Sequence, residues 1–225
     1  MAKKNSPLLN HSLSNLEHWE KTIDGITGVC SEGEQVSVRF YNSSVVRICI
    51  SKTSPDDFSY AVIASTGNID FTIAENEQAV ELTSEKLMLR ITKTPVRFTL
   101  LNSRNEVINE DDPAFGTAWI GEQVTTYKKL QPGERFIGLG EKTGPLDRRG
   151  NGYINWNTDA FAYGSGTDPL YSSLPFYIGI HNGLNYGIFF DNTYKSYFNF
   201  GASNDRFSSF AADAGEMNYY LIHGD

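Results

Sequence analysis

Phe136 to Ile180, FIGLGEKTGPLDRRGNGYINWNTDAFAYGSGTDPLYSSLPFYIGI, is the stretch from which the rest of the chain is best read. It opens as an apolar strand at 135–139 and closes as another at 174–180, and the segment between them far exceeds the few residues that join neighbouring strands. A loop of that length is either functional or disordered. Tyr153, Trp156, Phe161, Tyr163 and Tyr171 argue for order, because disordered tracts are poor in aromatic residues.

The aromatics alternate with Asn151, Asn155, Asn157, Asp159 and Asp168 and with glycines at 144, 150, 152, 164 and 166. A flat ring stacks on the apolar face of a pyranose, and Asp and Asn side chains exchange hydrogen bonds with its hydroxyls. The mixture therefore suits a carbohydrate better than a phosphate or a metal. The same composition also fits a plain structural role, in which Gly and Asn make turns and the rings pin the loop to a core.

Outward from this stretch the chain has a period of two. On the C-terminal side, Asn182-Gly183 is a hairpin signal between strands at 176–181 and 184–191, and further strands follow at 194–200, 206–211 and 217–222. On the N-terminal side, Val36, Val38 and Phe40 alternate with polar residues, and Val46, Ile48 and Ile50 alternate with Arg47, Cys49 and Ser51, which predicts two half-buried strands around an Asn42-Ser43-Ser44 turn. Strands are also expected at 70–74, 79–82, 87–92, 96–101 and 122–130, a spacing that suits a sandwich. Ser14 with Glu17 three residues on forms a capping box, so a short helix is expected over 13–21. The fold class is all-β, with a segment 1–22 carrying that helix and a single large β-sandwich over 23–225.

At 225 residues the chain can bury a sizeable core. A net charge of −8 without any Lys/Arg cluster excludes a nucleic-acid partner and favours a neutral ligand. No apolar run has the length of a signal peptide or a membrane span, so no membrane partner is expected. Cys30 and Cys49 match no zinc or redox spacing and read as buried thiols in a cytoplasmic protein; no cofactor or metal is implied. The run Asn109-Glu110-Asp111-Asp112-Pro113 lacks the alternate spacing and glycine of a calcium loop and reads as a solvated turn.

Candidate carboxylates in the long loop are Glu141, Asp147, Asp159 and Asp168, and glycoside hydrolysis commonly uses two. Glu141 is expected to accept hydrogen bonds at a strand end, Asp147 to pair with Arg148 and Arg149 at the surface, and Asp168 to form a turn before Pro169. Asp159, between Trp156 and Phe161, is the strongest candidate for a ligand contact. Mutarotation would need a Glu and a His on one sheet face. The four histidines, His11, His18, His181 and His223, show no such motif.

The order Gly138-Leu139-Gly140-Glu141-Lys142, Gly144-Pro145-Leu146-Asp147-Arg148-Arg149-Gly150, Trp156-Asn157-Thr158-Asp159, Leu170-Tyr171 and Pro175-Phe176-Tyr177 resembles the N-terminal β-domain of glycoside hydrolase family 31, the α-glucosidase and α-xylosidase family. The likeness continues through Ser196-Tyr197-Phe198-Asn199-Phe200-Gly201 to Gly215-Glu216-Met217-Asn218-Tyr219-Tyr220. The resemblance implies a supersandwich shared with galactose mutarotases, with the loop at 140–173 facing the substrate and Asp159, Trp156 and Phe161 binding an α-glucoside or α-linked oligosaccharide. It also implies that the nucleophile and acid/base belong to a (β/α)8 barrel expected after residue 225, so this chain holds no catalytic residue. Some eukaryotic members carry a threonine where this chain has Phe161, and hydroxyl contacts of that threonine do not transfer. The alternatives are a freestanding carbohydrate-binding module and an aldose 1-epimerase.

Overall fold

The structure is a computed structural model describing residues 10–224 except 56 and 68, and every regular element among them is a strand. In chain order these are β1 (Asn10–Ser12), β2 (Leu16–Lys21), β3 (Gly25–Cys30), β4 (Gln35–Asn42), β5 (Val45–Ser51), β6 (Thr72–Glu75), β7 (Ala79–Thr83), β8 (Leu87–Lys93), β9 (Val96–Asn102) and β10 (Val107–Glu110). They continue with β11 (Thr117–Ile120), β12 (Gln123–Lys129), β13 (Arg135–Gly140), β14 (Gly152–Asn155), β15 (Ser173–His181), β16 (Leu184–Phe190), β17 (Ser196–Asn199), β18 (Phe207–Ala212) and β19 (Met217–Gly224). Three antiparallel sheets result: eight strands in the order β13-β15-β16-β19-β5-β4-β3-β2, six in the order β1-β11-β12-β18-β17-β14, and five in the order β10-β9-β8-β7-β6.

Alternation puts the core where the sequence pattern predicts it. In β4, Val36, Val38 and Phe40 point inward; in β8, Leu87, Leu89 and Ile91 do. The eight- and six-stranded sheets meet through an aromatic layer, in which Phe136 stacks on Phe200 at 4.5 Å and Tyr219 meets Phe210 edge-on at 5.3 Å. Such pairs contribute about 0.5–1.5 kcal/mol each beyond their buried area. The five-stranded sheet joins the same core through Val80, Leu82, Leu89, Ile91 and Phe98. The Asn182-Gly183 hairpin forms as expected, with both turn residues at positive φ (50° and 75°).

Three expectations are corrected. The helix over 13–21 is instead β2, an edge strand paired with β3. Leu13, Leu16 and Trp19 all pack on the core at a spacing of three that imitates a helix, but Leu13 lies in the connection before β2 and a register shift between Leu16 and His18 sets the spacing of Leu16 and Trp19 within the strand. Ser14 is no helix cap; its hydroxyl donates to Glu34 at 2.7 Å. The acidic run is not a solvated turn, since Asp111 and Asp112 are both buried. Asp111 accepts from Lys128 at 2.6 Å and from the Phe98 amide at 2.9 Å, while Asp112 pairs with Arg206 at 3.2 Å and caps the turn at Ala114 and Phe115. Finally, β5 is buried on both faces, because the segment after it lays Asp57 over Arg47, whose Nε donates to Asn218 at 2.8 Å.

Candidate functional site

The long loop is pinned at its root by backbone geometry. At the end of β13, Gly138, Leu139 and Gly140 all have positive φ (137°, 72° and 75°). A Cβ on Gly138 would lie 2.5 Å from the Phe176 carbonyl oxygen, and one on Gly140 would lie 2.8 Å from that of Ser172. The two glycines thus allow the bulge that turns the chain out of the sheet, and complete burial of the Leu139 side chain holds its unfavourable conformation.

Side chains then latch the loop. The Lys142 side chain is fully buried; its ammonium donates to Asp168 at 2.8 Å and to the Ile154 carbonyl, and Asp168 in turn accepts from the Ile154 amide. Thr158 N donates to Leu170 O at 2.9 Å, Ser173 N to Asn157 Oδ1 at 2.9 Å, and Gly166 N to Thr143 Oγ1 at 3.1 Å. Asp168 is therefore a latch as well as the residue before a proline. Asp147 does not pair with Arg148: it accepts from the amides of Arg149 (3.0 Å) and Phe136 (3.2 Å), while Arg148 is buried and donates to the Pro145 carbonyl at 2.8 Å. Arg148 can reach inward because three loop carbonyls and the face of Tyr153 receive its guanidinium.

Beyond the latches the loop offers an exposed tip. Phe161 is 92% exposed, and Trp156, Tyr163, Tyr171 and the adjoining Leu174 are exposed as well. Asp159 is exposed, and neither it nor Glu141 has a hydrogen bond or ion pair to its carboxylate among the described residues. Glu141 is thus not the anchored strand-end acceptor expected of it; only its backbone amide is engaged, by Ser172 O at 3.0 Å. The Tyr171 ring meets that of Tyr163 edge-on at 6.2 Å, and its phenol pKa is raised by desolvation first and then by the charges of Asp159, Tyr163 and Glu141.

Beside the tip lies a cavity of about 300 Å³ between the β14 end, the β15 start and the turn after β16, lined by Asn155, Trp156, Asn157, Ser173, Asn192 and Tyr194 among others. Of the three site residues expected from sequence, Trp156 lines this cavity, whereas Asp159 and Phe161 lie on the tip outside it. Asn192 and Tyr194 were not singled out from sequence, and Asn155 stood there only as one of the loop's polar residues. Asn192 is fixed by donating to the carbonyls of Ala214 and Glu216, both at 3.0 Å, a contact between distant segments that no local pattern announces.

The histidines are dispersed. His181 is buried against the Ile108 carbonyl at 2.8 Å, His11 contacts Glu34 at 2.9 Å, and His18 contacts Glu20 at 3.2 Å.

Three antiparallel sheets around one core, with an aromatic-tipped loop latched across one end, define a β-sandwich domain of the galactose mutarotase-like class. Residues 35–199 match the family described as the glycosyl hydrolase 31 N-terminal galactose mutarotase-like domain, and the chain belongs to that family. It is 36% identical over 216 residues to alpha-glucosidase 2 of Bacillus thermoamyloliquefaciens, covering 94% of this chain and 27% of that protein. Against the solved GH31 dextranase of Flavobacterium johnsoniae in complex with isomaltotriose, it superposes with a TM-score of 0.87 at 33% identity, covering 95% of this chain and 27% of the dextranase chain. An alpha-xylosidase, XylQ of Lactiplantibacillus pentosus, is 28% identical over 162 residues, which are 69% of this chain and 20% of the relative. The chain thus spans about a quarter of the length of the relatives it matches most extensively.

Proposed function

We propose that this chain serves as the N-terminal domain of a retaining glycoside hydrolase acting on α-linked glucosides, packed against a (β/α)8 barrel that carries the nucleophile and the acid/base. In this reading the loop at 140–173 sets Trp156, Asp159 and Phe161 at the rim of the sugar pocket. The observation that carries it is the exposed tip itself: rings and an unpaired carboxylate stand outward on a loop that is latched at its base. Relatives that are an alpha-glucosidase and a dextranase support the substrate class. Two buried thiols, Cys30 and Cys49, support a reducing, cytoplasmic setting; desolvation pushes the Cys30 thiol up to about 12, which keeps it protonated and unreactive.

The test compares the 225-residue chain with the form joined to its barrel. The chain alone should leave aryl α-glucosides intact, and the joined form should hydrolyse them. Asp159→Ala in the joined form should lower kcat/KM about ten- to a hundredfold, because a charge-assisted hydrogen bond contributes about 1.5–3 kcal/mol. Unchanged kinetics with a lowered melting temperature would assign Asp159 a turn-forming role instead.

A further inference from the structure

Asn155 is 4% exposed at the end of β14, and neither its Oδ1 nor its Nδ2 has a hydrogen-bond partner; the Ser173 Oγ, across the same cavity at the start of β15, is likewise buried and unpartnered. Leaving a buried polar group unpaired costs about 1–3 kcal/mol, so three such atoms beside one cavity call for hydrogen-bonding partners there.

The lining identifies the chemistry of that partner. No charged residue lines the cavity, which argues against a phosphate, a carboxylate or a cation. Trp156 and Tyr194 contribute half-exposed rings. A volume of about 300 Å³ is at the small end of ligand pockets and suits one ring. An asparagine amide presents one acceptor and one donor side by side, matching two neighbouring hydroxyls that each donate and accept. The last torsion of asparagine is soft, so the amide turns toward the cavity at little cost. Asn157 Oδ1 already accepts from Ser173 N, and Asn192 is committed at both ends, its Nδ2 to two carbonyls and its Oδ1 to the Tyr194 amide.

We infer that this cavity is a sugar subsite belonging to the domain itself, in which Asn155 and Ser173 bind adjacent hydroxyls of one pyranose unit of an α-linked glucan while Trp156 and Tyr194 flank the ring. The inference rests on the proposed carbohydrate function and adds to it a site apart from Asp159.

The test is an amide-resolved NMR titration of the 225-residue chain with isomaltotriose and with glucose, using glycerol as a polyol without a ring. Saturable shifts at the Asn155 side-chain amide and the Trp156 indole are expected with both sugars. Asn155→Ala and, as a second variant, Ser173→Ala, each checked for an unchanged fold, should weaken binding about three- to tenfold, as loss of one or two neutral hydrogen bonds implies. Equal response to glycerol, or binding unaffected by both variants, overturns the inference. Shifts confined to Asp159 and Phe161 overturn it too, while leaving the proposed loop role standing. If nothing saturates the inference falls, and the hydrolase assignment is decided separately by the aryl α-glucoside assay.

Discussion

Lys142→Met removes the ammonium that latches the long loop and leaves a side chain of similar length and an apolar stem. In the native structure the Lys142 side chain is fully buried, whereas that of Asp168 retains 19% exposure. Removing one partner of a buried pair costs about 3–5 kcal/mol because the other charge is left uncompensated. Here the surviving carboxylate reaches water and keeps its bond to the Ile154 amide, which places the cost near the lower bound, about 3 kcal/mol. At 1.4 kcal/mol per decade, the loop-opening equilibrium should shift about a hundredfold. Hydrogen exchange reads this directly: the amides of Thr158, Gly166 and Ser173, whose acceptors lie within the loop region, should lose about a hundredfold in protection. Core amides in β16 should fall by no more than the free energy of opening the loop, since beyond that point the open-loop form is itself the ground state. Asp168→Asn should be harsher, because it strands an ammonium with no exposure at all. Protection of the three loop amides within about threefold of wild type in Lys142→Met would refute the argument that this pair holds the loop.

Asp111→Ala should cost about 3–5 kcal/mol in urea denaturation, since it abandons Lys128 in the core, and the double variant Asp111→Leu with Lys128→Met should recover most of that loss; a single-mutant cost below about 1 kcal/mol would contradict this. Glu34 tests the acid limb: burial alone would raise its pKa, but hydrogen bonds from Ser14 and the backbone, with the His11 charge, hold it below the ordinary 4.5. Its folded pKa is depressed, so its contribution is present above that ordinary value and lost as pH falls through the folded one. The stability cost of Glu34→Gln should accordingly be largest near neutral pH and shrink toward about pH 2.5; a constant cost across that range would exclude the linkage.

Among the strands that the sequence announces, β4 and β8 show the plainest alternation. In β4 and β8 the polar residues stay at the surface, so period-two alternation is written in the residues themselves. Short edge elements such as β1, β10 and β14 carry too few residues for a pattern, and they exist because a neighbouring strand offers unpaired backbone groups. β2 misled for a related reason, since one bulge is enough to turn alternation into a spacing of three. The loop at 140–173 was legible as ordered from its aromatics, because such a composition is unsuited to disorder.

What each polar side chain does there was a tertiary decision. Arg148, Asp111 and Asp112 look like surface charges in a local window. Each is buried because carbonyls, amides or a counter-charge from residues distant in sequence or across the loop satisfy it. Asn155 is the converse case: in the linear chain it is one of several loop asparagines, and its significance comes from an unpaired, buried amide beside a cavity that forms only when β14, β15 and the turn after β16 come together. Alternation and composition are local properties, and so they survive in the linear chain. Hydrogen-bond satisfaction depends on which distant groups arrive, and it is settled only when the sheets close on one another.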